Sequence, residues 1–254
     1  MSRRTPEGPP PPPVVQRVRL RYAKRGRLRF TSHRDFARAF ERALRRAEVP
    51  MAYSAGFSPH PKISYVGAAP TGVASEAEYL EIGLAAAVEL EALRQALDAA
   101  LPEGLDIVEA VPAGPGSLAI RMEASQWRIE LPGVSAVAAT AAVARFLELD
   151  EVLVERLTKE GRRSLDARAP VVSAVVSERA EGSGTQVRAI LDLVVRQVTP
   201  AVRPDDVLVA LRVVAGLAPD IVPLAIRLAQ GPLDDSGAVG DPFAPDRAGT
   251  GSPS

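Results

Sequence analysis

The 254-residue sequence contains no cysteine. A disulfide scaffold, a Cys-ligated zinc site and a Cys-bound iron–sulfur cluster are therefore excluded. The absence fits a reducing compartment, and a cytoplasmic location is expected. No run of about 18 apolar residues occurs, so no membrane-spanning helix is expected. The Pro-rich stretch from Met1 to Pro13 lacks the apolar core of a secretory signal. There is no Walker loop, no Gly-x-Gly-x-x-Gly on a strand–helix turn and no Gly-x-Ser-x-Gly elbow. These gaps lower the case for an NTPase, a dinucleotide enzyme or an α/β-hydrolase. No cofactor is expected. Histidine is scarce, with 2 residues, and aromatics make up 4%.

What is present is an ordinary globular hydrophobic fraction, 46%, and a formal net charge of zero. The zero hides a strong polarity. Residues 1–66 hold 15 Lys and Arg against 4 Asp and Glu, a net of +11, and residues 67–254 carry the opposite excess. Such asymmetry fits either a basic face for an anionic partner or two halves that pair with each other. Both histidines, His33 and His60, and 8 of the 11 aromatics fall between Tyr22 and Tyr79. Charge, imidazole and aromatic rings thus coincide in one block, which is the best candidate for a site.

Periodicity orders this block. Val18, Leu20 and Tyr22 alternate with Arg17, Arg19 and Arg21, which predicts a strand with one buried face and one arginine face. After Arg25-Gly26, the run Arg27-Leu28-Arg29-Phe30 resumes the alternation, with Leu28 and Phe30 facing in. Ser32 is a helix N-cap with Asp35 three residues on. Phe36, Phe40, Ala43, Leu44 and Ala47 follow at helical spacing, and Arg34, Arg38, Arg42 and Arg45 form a second stripe on that helix. A strand near 51–55, a constrained loop at 56–61, an extended piece at 62–66, a strand at 79–85, a helix at 88–100 and a strand at 105–111 complete the block. The order is that of a ferredoxin-like, split βαβ unit with an antiparallel sheet. The pattern partly repeats: strand 126–131, helix 135–147, strand 151–157, a basic turn at 161–163, a short helix or strand at 171–176, strand 187–195, a helix from Pro204 and a last apolar segment at 221–228. The expected organisation is two α+β, ferredoxin-like units at 14–112 and 118–228, flanked by disordered tails at 1–13 and 229–254.

In a split βαβ unit both helices cover one sheet face. The other face, lined by Arg17, Arg19, Arg21, Arg27 and Arg29 with Lys62 nearby, is then free for phosphates. Tyr53, Phe57 and Tyr65 offer rings on which bases stack. His33, in the first turn of its helix, and His60, held between Pro59 and Pro61, are candidate acid–base groups for RNA cleavage. Each also has a purely structural reading. The two with Asp35 match no standard metal-site spacing, so no metal is expected.

The run from Lys24 to Tyr65, with GVASEAEYLEI after it, resembles the radical-SAM-linked protein family, a domain of unknown function. The matching positions include Ser32, His33, Asp35, Arg42, Arg46, Ser54, Gly56, Phe57, Pro59, Lys62 and Glu78. The resemblance implies a family extent of about 14–228 and an association with radical-SAM chemistry supplied in trans, since this chain has no cysteine for the cluster. It implies the stand-alone accessory form, or a protein that acts independently, and carries no reaction with it. The basic strand, the Ser-His-x-Asp helix start and the Arg-rich helix are more distantly similar to ferredoxin-like RNA-processing endonucleases of CRISPR systems. The expected function is an RNA-binding accessory protein working beside a radical-SAM or RNA modification or processing enzyme on tRNA or rRNA. The alternatives are a metal-independent endoribonuclease using His33 or His60, and a protein-interaction domain that docks an acidic partner.

Overall fold

A computed structural model describes residues 12–158, 161–180 and 187–248. The chain divides into two compact units. The first comprises residues 1–120 with 243–254, and the second residues 121–242.

The first unit runs β1 (Gln16–Lys24), a 3-10 turn (Gly26–Phe30), α1 (His33–Arg46), β2 (Ile63–Val66), β3 (Ala74–Leu84), α2 (Leu90–Ala100) and β4 (Leu105–Pro112). Its strands are antiparallel, with β1 between β4 and β3. Ile82 of β3 faces Val18 on one side and Ile63 on the other, so β2 lies on the far edge of β3. The resulting order, 4-1-3-2, is the ferredoxin-like one. Alternation in β1 sends Val18, Leu20 and Tyr22 into the core, where Tyr22 stacks on Phe36 of α1 with centroids 4.1 Å apart. Helix α1 starts where the Ser32 side chain accepts the Asp35 N–H. It buries Phe36, Phe40, Ala43 and Leu44 against the sheet.

The second unit runs β5 (Ala124–Pro132), α3 (Ala136–Leu147), β6 (Leu153–Thr158), β7 (Gly161–Asp166), β8 (Val171–Ala180), β9 (Val187–Arg196), α4 (Pro204–Ala215) and β10 (Leu224–Gly231). Its main sheet is antiparallel in the order β10-β5-β9-β8, the same 4-1-3-2 arrangement. Strands β6 and β7 form a separate hairpin between α3 and β8. The segment left open between helix and strand at 171–176 is strand. The expected basic turn at 161–163 is the start of β7.

Three expectations are corrected. Residues 27–30 do not continue β1. Gly26 adopts a left-handed φ of 53°, and Leu28 N–H to Arg25 O and Thr31 N–H to Leu28 O bonds wind a 3-10 turn instead. Leu28 packs on the core, but Phe30 is 58% exposed. Residues 51–55 form isolated bridges, Met51 to Leu84 and Tyr53 to Pro61, and no full strand. The part of the tail at 229–248 is structured. Strand β10 extends to Gly231, and Ala244–Ala248 form a short helix, α5, that belongs to the first unit. Residues 1–11 and 249–254 of the expected tails lie outside the described residues.

Helix α5 returns to cover the arginine face of β1. Phe243 sets its ring edge-on to Tyr79, and Asp246, fully buried, meets Arg19, which is 1% exposed. Every nitrogen of the Arg19 guanidinium donates. Nη1 goes to both Asp246 oxygens at 2.7 and 2.9 Å, Nε to Glu81 at 3.0 Å, and Nη2 to the carbonyls of Gly114 and Gly116. Burial pulls the Arg19 pKa down, but the bonds to Asp246 and Glu81 and their charges outweigh it and hold it raised. Glycine at position 114 leaves room for this carboxylate, since a Cβ there would meet Asp246 Oδ1 at 2.6 Å and push it off Arg19. Removing one partner of a buried ion pair leaves an uncompensated charge, at a cost of about 3–5 kcal/mol. Asp246→Ala is therefore expected to lower stability by about that much in urea unfolding of the full chain, and Arg19→Met with Asp246→Leu to recover most of it. A wild-type midpoint for Asp246→Ala would mean that the segment is not part of the folded unit.

Candidate nucleic-acid interface

The expected phosphate face of β1 is already occupied. Arg19 is sealed by Asp246 and Glu81. Arg17 pairs with Glu81 at 3.0 Å, and Arg21 with Glu109 at 3.4 Å. Glu109 also holds Arg247 of α5. These arginines are thus met by carboxylates of their own unit, the outcome the charge asymmetry left open as its alternative. Arg27 and Arg29 stand on the 3-10 turn and share no face with them. Arg29 lies over the Phe30 ring, 4.6 Å from its centroid.

A row of open cations lies on α1. Arg34, Arg38, Arg42 and Arg45 are exposed, and none makes an ion pair or hydrogen bond among the described residues. Steps of four, four and three residues keep them on one stripe, opposite the buried Phe36–Phe40 face. The helical rise spreads them over about 16 Å. The spacing of this stripe was the signal in the sequence. It was outranked there by the strand arginines, whose partners lie far along the chain.

Several residues shared with the resembled family turn out to build the framework. The Ser32 hydroxyl donates to the Asp35 carboxylate at 2.6 Å and accepts the Asp35 N–H at 3.2 Å, so both are spent on the helix start and Asp35 is not aimed at an imidazole. Arg46 Nη1 donates to the Ala100 carbonyl and caps the end of α2. Glu78, buried, accepts the Ala69 N–H. Ser54 closes the 54–60 loop twice: its N–H donates to the His60 carbonyl at 2.9 Å, and its hydroxyl accepts the His60 N–H at 3.1 Å. Gly56, at the loop tip, has a φ of 135° that favours glycine.

Other residues of that set have no such task. Arg42, Lys62 and Phe57 are exposed, Phe57 by 75%. His33 is exposed and rests edge-on against Tyr65, with centroids 4.8 Å apart. His60 lines a cavity of about 180 Å³ between the end of α1 and the 53–61 loop. His33 is not among its lining residues, and no carboxylate is bonded to either ring among the described residues. No group of three or more His, Asp or Glu fit for a metal occurs among them either. Tyr65, expected to offer a ring to bases, is half-buried on the helix side of β2. Its hydroxyl is enclosed without a hydrogen-bond partner among the described residues, and burial, then the Glu41 charge, push its pKa up. None of the helices among the described residues is long and apolar enough to cross a membrane.

Comparison with known proteins gives a family described as "Uncharacterized protein conserved in bacteria (DUF2344)", which matches residues 17–204. That description names no activity and no partner. No curated protein matches. A crystal structure of an unknown protein from Galdieria sulphuraria matches over 83% of this chain and 95% of its own, at 14% identity and a TM-score of 0.24, too low to support any argument.

Two substitutions separate framework from enclosed polarity. Ser32→Ala removes the N-cap and is expected to cost about 1 kcal/mol. Tyr65→Phe removes a hydroxyl that has no partner, and is expected to leave stability unchanged or raise it by about 1 kcal/mol. Urea midpoints of the two variants are expected on opposite sides of the wild type, or at it for Tyr65→Phe.

Proposed function

The chain belongs to this bacterial family of uncharacterized proteins, and within it we propose that the first unit is an RNA-binding module that presents α1 to the phosphate backbone. The observation that carries the reading is the division of the arginines. Those of β1 are neutralised within the fold, while Arg34, Arg38, Arg42 and Arg45 point outward with no carboxylate paired to them among the described residues. A guanidinium offers two parallel N–H donors that match a phosphate, and four in a row along one helix follow an extended strand. The 53–61 loop adds aromatic surface, with Tyr53 40% and Phe57 75% exposed. Rings of this kind stack on unpaired bases at about 1–3 kcal/mol each.

The module works in the cytoplasm as an accessory to an enzyme that modifies or processes tRNA or rRNA. The likeness of the Lys24–Tyr65 run to the radical-SAM-linked family favours a radical-SAM partner. With no cysteine in the sequence, a cluster would be held by that second polypeptide.

Replacing Arg34, Arg38, Arg42 and Arg45 by Gln is expected to weaken RNA binding and to flatten the dependence of log affinity on log salt, by about 0.7 for each single-strand phosphate that is no longer neutralised. Arg17→Gln and Arg21→Gln are expected to leave that slope unchanged and to act on stability instead. An unchanged slope in the fourfold variant, or no RNA binding by the wild type at low salt, overturns the reading. RNA cut by the wild type but not by His33→Ala or His60→Ala would assign the unit to a nuclease.

A further inference from the structure

We propose that the cavity beside α1 is a pocket for one unstacked guanine base, read by Glu41; this rests on the RNA-binding reading above and deepens it. The pocket is preformed by the local sequence. Glu48 adopts a left-handed φ of 51° and Val49 N–H returns to Leu44 O, so the chain leaves the helix sharply before Pro50. The base of the following loop is then pinned by Ala52 and Lys62, whose backbones bond, and by Ser54 and His60. Pro59 and Pro61 fix their own φ and keep this wall stiff. What remains between wall and helix is about 180 Å³.

Its lining is mixed in a particular way. Val49 and Met51 supply an apolar floor, Tyr53 an exposed ring, and Arg45 the last guanidinium of the open stripe. Glu41 supplies a carboxylate. Other half-buried carboxylates of this unit, such as Glu81 and Glu109, are met by arginine. Glu41 is half-buried and makes no ion pair or hydrogen bond among the described residues, although arginines flank it on its own helix. A free carboxylate repels a phosphate and only accepts hydrogen bonds, so its ligand has to bring the donors. A flat, partly apolar ligand with two adjacent in-plane donors fits such a floor and acceptor. The N1–H and 2-amino group of guanine are such a pair. Adenine and cytosine present one amine on that edge, and uracil one ring N–H. Arg45 stands where it can hold the phosphate of the same nucleotide, so the pocket continues the α1 stripe.

The test uses the full chain and single-stranded oligouridine of fixed length with one central G, inosine, A, C or U. The wild type is expected to bind the G oligomer about tenfold more tightly than A, C or U. Inosine, which keeps N1–H and lacks the 2-amino group, is expected in between. Glu41→Gln and Glu41→Ala, both checked for wild-type melting, are expected to reduce the preference below about twofold, while all-U affinity holds or rises as a negative charge is lost. Equal wild-type affinity for all five oligomers overturns the guanine pocket and leaves the α1 interface standing, provided the salt slope still responds to the arginine substitutions. A G preference that survives both Glu41 variants also overturns it. Binding to none of the oligomers and to no structured RNA removes the RNA reading itself.

Discussion

A guanidinium with no access to water sits between the start and the far end of the sequence, and the rest of the first unit is arranged around keeping it satisfied. Burying a cation costs several kcal/mol unless each donor finds an acceptor. Arg19 finds Asp246, Glu81 and two backbone carbonyls. The demand reaches outward from there. It is served by a glycine at 114, which leaves the Asp246 carboxylate its place, and by α5, which lies across the strand. It also engages Glu81, which is shared with Arg17. The sheet face that a split βαβ unit leaves open is in this way covered from within at Arg19, while Arg17 beside it stays largely in solvent.

Closing one face moves the usable charge to another. Helix α1 carries two stripes with opposite tasks. Phe36, Phe40, Ala43 and Leu44 join the sheet, and the arginines between them stay solvated. At its ends the helix is fixed by a local bond, Ser32 with Asp35 at the start, and by a tie to the end of α2, Arg46 with Ala100 near the finish. The 53–61 loop is set against its last turns, so charge, an aromatic ring and Glu41, unpaired among the described residues, come together on one continuous surface.

What was legible in the sequence was what short-range period encodes. Alternation in β1, the 3.6-residue recurrence in α1 and the strand–helix order of both units are local, and both units adopt the ferredoxin-like order they imply. The strand arginines misled because alternation tells which way a side chain points and not what waits there. Asp246 lies 227 positions from Arg19. Its segment, Ala-Pro-Asp-Arg-Ala, is too short to show a period and sits in a stretch whose Gly, Pro, Asp and Ser content reads as coil. Residues 27–30 misled for a related reason: their alternation is real, but a left-handed Gly26 turns the backbone before the pattern can be used. In the second unit the 151–157 strand was visible, and its separation into a hairpin with β7 was not, since both strands are too exposed to carry a clear buried face.

The first unit is discontinuous, with residues 121–242 intervening between its two parts. On the ribosome this reverses the customary order, in which the N-terminal domain finishes first. At about 5–20 residues per second, the 227 positions from Arg19 to Asp246 take roughly 11–45 s to synthesise. For that interval the nascent sheet carries an arginine whose buried partner has not been made, and the second unit receives its last strand before that partner appears. Completion of the first unit thus reports that translation has passed residue 246, and Arg19 stays without its buried partner on any chain that has not got that far.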